Sequence, residues 1–373
     1  MRCFIYKIFI FLFVRFDITL KENKRCLMRV ICKKEQDVGL ALQKRDLPPP
    51  PKDDEVQVRV THVGICGTDL HIYNWDDWAK NRLKPPVVAG HEMVGVIVKV
   101  GQAVTKYSVG QRVSVECHKV CGICRYCRTG RGHLCFKTSI IGVDEDGVFA
   151  DYVNLPVSNI WGVDDGIPSH HAAIFDPVGN AMHAVSKAGV AGHSVLITGA
   201  GAIGLISIAI ARSLGARHIS VIEPQSYKLS LAKELGADIA LPPGQEANAA
   251  ILKATGGFGP HCLIEMSGHE KAIENGLDLL QLGGTAVMLG IPSDKISIDL
   301  AQSVIFKGIT MKGIVGREMF KTWFEVESFM LKNPDAVEKI VSHILPFESY
   351  EEGFKLMQQG LCAKVILKLE EDA

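Results

Sequence analysis

The sequence carries no excess of either charge: 41 lysines and arginines balance 41 aspartates and glutamates over 373 residues. A nucleic-acid partner normally calls for a basic surplus or stripe, so this balance points away from one. A membrane span is missing from the one place that invites it. In "MRCFIYKIFIFLFVRFDITL" the apolar run from Ile8 to Val14 sits between Lys7 and Arg15, far short of the ~20 residues a bilayer takes. No small-residue cleavage site follows it, so no signal peptide is indicated. Residues 1–27 are expected to be an extension outside the fold, such as an upstream translation start. A weakly membrane-associating tail is the rival reading, and no stable membrane association is expected. Internal repeats are absent, and Pro48 to Pro51 is the sole low-complexity tract.

Cysteine is not scarce, but it is unevenly spread. Of eleven cysteines, Cys117, Cys121, Cys124, Cys127 and Cys135 fall in one short stretch. A secreted disulfide scaffold would be smaller and more evenly Cys-rich, so the cluster indicates metal in a reducing, cytoplasmic compartment. The length suggests two domains. From Met28 to about Asn154, "EVQVRVTHVGIC", "MVGVIVKVG" and "RVSVECH" read as short strands of a mostly β unit, a small barrel. From about Ala181 the pattern becomes strand, glycine turn and helix in succession. That argues an α/β class with a parallel sheet wound on both faces.

"GAGAIG" places glycines at Gly199, Gly201 and Gly204, after the strand "SVLIT" and before a helix from about Ala202. The first glycine permits a tight turn, the second lets backbone approach a pyrophosphate, and the third lets helix pack on strand. The next strand ends at Glu223, about 20 residues on, where a carboxylate accepts hydrogen bonds from a ribose diol. It repels a 2′-phosphate, so NAD is favoured over NADP. Lys228 leaves some NADP tolerance open, or lies along the adenosine ribose.

Two constellations suit metal. "CGICRYCRTGRGHLC" sets Cys121, Cys124, Cys127 and Cys135 at a spacing that lets four thiolates converge on one tetrahedral ion. A bacterial ferredoxin run has a shorter last gap followed by proline, so closed structural zinc is the reading here. The second set is dispersed: Cys66, His91 and Glu92 of "GHE", and Asp176 of "FDPVGNAMH". Thiolate, imidazole and carboxylate together make a zinc site with an exchangeable position, as catalytic zinc requires.

In chain order "CGTDLH", "GHE", the four-cysteine lobe, "FDPVGNAMH" and "GAGAIG" resemble the zinc-dependent medium-chain alcohol dehydrogenase family, from Met28 to about Glu370. Within it, "CGTDLHIYNWDDW", "AAIFDPVGNAMHA", "EMSG", "LGIP" and "IVGREMF" are similar to the branch that oxidises L-threonine. The resemblance implies a GroES-like β-barrel catalytic domain over 28–180, an inserted Rossmann domain over 181–315, and a return to the catalytic domain over 316–373. It implies a homotetramer with two zinc ions per chain, one catalytic and one structural, using NAD to make 2-amino-3-oxobutanoate in threonine catabolism towards glycine.

Carried over by residue, Cys66, His91 and Glu92 fall on catalytic zinc positions, and Cys121, Cys124, Cys127 and Cys135 on structural ones. Thr68 and His71 match a proton-relay pair, and Asp176 a position close to the catalytic metal. The fourth ligand there is left between Glu92, Asp176 and water. Ile203, Glu223, Lys228, Leu289, Gly290, Ile291, Ile314 and Val315 match NAD contacts. Lys228, Val315 and Cys117 stand where arginine, an aromatic and glycine are common, which bears on cofactor affinity. Asp69 either caps the helix after it or orients His91. His118, Asp76 and Asp77 are candidates to grip the amino acid. Rival readings are a sorbitol- or butanediol-type dehydrogenase, and a zinc-stabilised binding module whose site is a relic.

Overall fold

The computed structural model describes residues 27–369. The extension expected over 1–27 lies outside the described residues except for Leu27, which opens the first strand, Leu27–Lys33. Among the described residues no helix is long and apolar enough to cross a membrane.

Two sheets organise the chain. The first has seven strands, in the order Ile160–Gly162, Arg112–Val115, Glu92–Val100, Glu55–Gly64, Lys364–Lys368 and Val341–Pro346, with Tyr152–Pro156 pairing on Glu55–Gly64. Two of its strands come from the C-terminus, so the tail returns to the sheet that the first part of the chain builds. Register decides what meets at its centre. Gly64 lies opposite Glu92 on one side and opposite Ile366 on the other. Glu92 and Lys364 thereby converge from strands 272 residues apart.

The second sheet has six parallel strands in the order Ile239–Leu241, His218–Ile222, Ser194–Thr198, Cys262–Glu265, Thr285–Met288 and Thr310–Gly313. Ser194–Thr198 and Cys262–Glu265 are buried at every position, as strands covered on both faces must be. Val195 and Ile197 enter one core, while Leu196 between them enters another on the opposite face. Strand order reverses between Ser194–Thr198 and Cys262–Glu265, and ligands of such sheets bind beyond the strand C-termini at that switch point.

The Phe175–Ala188 helix joins the two sheets. Eleven of its residues are buried, and Gly189, left-handed at φ 70°, ends it. It runs unbroken through residue 180, so the domain boundary expected there falls inside one helix.

Candidate active site

Cys66 follows the Glu55–Gly64 strand and caps the Gly67–Asn74 helix. Asp69 closes the cap: its Oδ2 accepts the Cys66 N–H at 2.9 Å. Its Oδ1 accepts the Gly90 N–H at 3.2 Å and lies 3.8 Å from His91 Nδ1. The capping reading of Asp69 therefore holds, while towards His91 the carboxylate lies close but makes no hydrogen bond. Gly90 is left-handed at φ 86°, and a side chain there would strike Phe149 at 2.0 Å. This turn aims His91 inward.

Glu92 is buried beside Lys364, whose Nζ donates to Glu92 Oε1 and to the Ile65 carbonyl, both at 2.7 Å. Donor atoms of Cys66, His91 and Glu92 all lie within 4.8 Å of one another. His91 Nδ1 and Glu92 Oε2 are buried without a hydrogen bond, although Oε2 stays 2.5 Å from the lysine as an ion pair. Burial works against protonation of His91, but Asp69 and Cys66 outweigh it and raise its pKa well above the usual range. The thiol, imidazole and carboxyl donors of the pocket, two of their atoms orphaned, fit zinc.

Other expected residues are placed less simply. Asp176 stands outside this group: its Oδ1 pairs with Arg317 Nη1 at 2.8 Å, and its Oδ2 is buried without a partner. Thr68 Oγ1 lies 3.9 Å from Cys66 Sγ. His71 is exposed and hydrogen-bonded through Nδ1 to Asp76 Oδ2. Asp76 also caps the Asp77–Arg82 helix, and Asp77 is exposed beside Lys80. Trp75 is buried under Lys33 and Tyr73 stacks on Phe354 at 4.5 Å. Most of the run from Tyr73 to Trp78 thus shapes the turn between two helices.

The four-cysteine lobe is self-contained. Cys124 and Cys127 sulfurs are 3.5 Å apart and those of Cys121 and Cys135 are 3.6 Å apart, too far for disulfides, whose S–S length is about 2.05 Å. All four are free, with sulfurs within 4.8 Å of one another. Backbone N–H groups of Ile123 and Cys124 draw the Cys121 thiol down to about 6, favouring a thiolate. The donors fit one closed tetrahedral zinc.

At the parallel sheet the three glycines do separate jobs. Gly199 is left-handed at φ 85°, and a side chain on Gly204 would strike the Gly199 carbonyl at 2.1 Å. A side chain on Gly201 would meet nothing within 4 Å, so its open face is where a ligand can approach. The Ala202–Ser213 helix has no side-chain cap, leaving its first N–H groups for an anion. Glu223 is buried at the end of its strand and accepts the Ala200 and Gln225 N–H groups at 2.7 and 3.1 Å. Leu289 and Gly290 follow one neighbouring strand and Ile314 and Val315 another. Ile291 is 87% exposed.

A cleft of about 260 Å³ connects the two halves, lined by Cys66, Glu92 and Lys364 on one side and by Gly201, Ile203, Gly204 and Lys228 on the other. A larger hollow of about 440 Å³, against Trp161, Phe320 and Phe324, lacks ligating groups. The alcohol dehydrogenase GroES-like domain matches residues 52–165 and the zinc-binding dehydrogenase domain matches 202–332. L-threonine 3-dehydrogenase of Caldanaerobacter subterraneus subsp. tengcongensis is 42% identical over 343 residues, covering 91% of this chain and 99% of that protein. The chain belongs to the zinc-dependent medium-chain alcohol dehydrogenase family. L-threonine 3-dehydrogenase of Pyrococcus furiosus is 41% identical, over 92% and 99% of the two chains. The alcohol dehydrogenase of Thermotoga maritima superposes with a TM-score of 0.85 at 25% identity, over 92% and 100%. The α/β fold expected from the sequence, a GroES-like unit with a Rossmann unit, is the fold of this family.

Sequence reading missed a buried ionic seam near the candidate metal ligands of this alcohol dehydrogenase. Arg317 donates through Nε to Glu116 Oε2 at 2.8 Å and through Nη1 to Asn180 Oδ1 at 3.2 Å, besides its pair with Asp176. Trp323 Nε1 also donates to Glu116 Oε2, at 2.9 Å. Gly179 makes room, since a side chain there would strike Arg317 at 2.4 Å. Glu116 is 201 residues from Arg317, and no local pattern announces the pairing.

Proposed function

We propose that this chain oxidises L-threonine at its β-hydroxyl to 2-amino-3-oxobutanoate, with NAD as acceptor and zinc at Cys66, His91 and Glu92. The observation that carries this reading is the 41–42% identity to L-threonine 3-dehydrogenases over nearly their whole length. The cleft supports it, because Cys66 and Glu92 share its lining with the glycine turn. We further propose a structural zinc in the four-cysteine lobe, a homotetramer, and a cytoplasmic location, where the nine free thiols of the described residues stay reduced.

Bound there, zinc supplies the charge that acidifies the substrate hydroxyl, and NAD accepts the hydride. Cys66, His91 and Glu92 would hold the ion, with Asp69 fixing the Cys66 backbone and lying close to the His91 ring. Lys364 balances the buried Glu92 carboxylate. Thr68 Oγ1 would accept the hydroxyl proton while passing its own onward, and His71 at the surface would release a proton to solvent. Among the described residues no hydrogen bond joins Thr68 to His71, so a bridging hydroxyl or water has to connect them. Arg317 holds one Asp176 oxygen and leaves the other buried without a partner. Glu223 would receive the ribose diol while bracing the glycine turn.

NADH formation measured with L-threonine, D-threonine, sorbitol and butanediol tests the reading. L-threonine is expected to react fastest. Preference for sorbitol or butanediol would move the chain to a polyol class, and two bound zincs without turnover on any alcohol would favour the relic.

A further inference from the structure

We propose that His170, His171 and Glu338 form a further metal site, separate from both cysteine-bearing centres, for a borderline divalent cation such as nickel or zinc. His170 and His171 lie in the short Ser169–Ala172 helix, and Glu338 in the Pro334–Ile340 helix. Each imidazole Nε2 is 2.7 Å from the same oxygen, Glu338 Oε2. The rings stand edge to face with centroids 4.4 Å apart. Three donor atoms from segments 167 and 168 residues apart thus meet within 4.8 Å.

Two imidazoles on one carboxylate oxygen are more than an ordinary ion pair uses. His171 is buried, and Nε2 is the ring nitrogen it turns to Glu338, as His170 does. Glu338 is 60% exposed, which leaves a solvent side for water ligands and lets the carboxylate withdraw. Donors around a tetrahedral ion sit roughly 3.3 Å apart, so a small movement of Glu338 suffices. Two nitrogens and one oxygen, with no thiolate, select nickel, zinc, cobalt or copper over calcium and magnesium.

The position gives such an ion a structural consequence. The Ser169–Ala172 helix packs against the Glu55–Gly64 and Glu92–Val100 strands, and Pro334–Ile340 packs against the Ala202–Ser213 helix. An ion there ties the sheet that carries the zinc ligands to the helix that opens at the glycine turn.

The test uses tag-free, zinc-replete protein titrated with Ni2+ by calorimetry and with Co2+ by absorbance. One extra equivalent is expected, and its cobalt spectrum should lack the near-ultraviolet thiolate band that either cysteine centre would give. His170→Ala and Glu338→Gln should each weaken that equivalent at least ~10-fold, since loss of even an outer partner costs that much. NADH formation and circular dichroism check that both variants remain folded. Absence of the extra equivalent, a thiolate band in it, or unchanged binding in His170→Ala would overturn the proposal. The last result would assign binding to another pair, such as the stacked His193 and His261.

Discussion

The two cysteine-bearing centres are built on opposite plans. Cys121, Cys124, Cys127 and Cys135 come from one loop and point four like donors at one spot. Cys66, His91 and Glu92 come from a helix cap, a glycine turn and a strand start, with Asp69 and Lys364 behind them. A closed set made locally can hold its ion whatever the rest of the chain does. An open set made from distant pieces depends on sheet register, and it faces the cleft where chemistry is wanted.

Substitutions at the two centres should separate these plans. Cys66→Ser is expected to lower threonine turnover by ~1000-fold or more, because metal charge stabilisation is worth several kcal/mol. Its melting temperature should move little. Cys121→Ser should do the reverse: one zinc per chain is lost by elemental analysis and melting falls, while the folded fraction keeps its turnover. Equal loss of turnover with no change in melting would erase the distinction.

Next in size, Lys364→Met leaves Glu92 buried without its cation. Breaking a buried pair costs about 3–5 kcal/mol, readable by chemical denaturation of the zinc-free chain. Asp69→Asn should weaken the ion at the Cys66 centre by about 10–100-fold in chelator competition, leaving the lobe's ion untouched. Loss of both ions together would show that the centres are coupled.

The smallest effect lies at a charge pair touching neither centre. Burial raises the pKa of Glu318, but Lys187 at 2.6 Å and Lys321 at 3.0 Å outweigh it and bring it to about 2, against an ordinary 4.5. The folded value lies below the unfolded one, so this stabilisation is present above about 4.5 and is lost as pH falls towards 2. Glu318→Gln should therefore flatten the acid limb of the stability curve while zinc content stays constant.

What was legible in the sequence follows the same division. "GAGAIG" and the four-cysteine lobe are contiguous, so spacing alone specifies their geometry. Cys66 and His91 were legible as partners through donor chemistry and the family resemblance, not through spacing, because the Glu55–Gly64 and Glu92–Val100 pairing brings them together. Lys364 left a faint trace, a charge opening the apolar strand "KVILK". Arg317 and Glu116 left none, since neither neighbourhood shows that both side chains are buried. Trp75 left no sign of its place either: its left-handed backbone, φ 53°, makes it the plug of a helix turn.

Gly64 sets a one-sided tolerance on this architecture. A methyl group at that position would fall 2.1 Å from Glu92 Oε2 and 3.1 Å from Lys364 Cε. The strand therefore stands off the carboxylate–lysine pair by the width of a hydrogen atom. Redesign of the cleft from the strand side is closed, because any side chain at 64 expels the acid from its seat. Attempts to widen or reshape the substrate space have their freedom elsewhere in the lining, at Met266 and Met357, whose thioether side chains can repack.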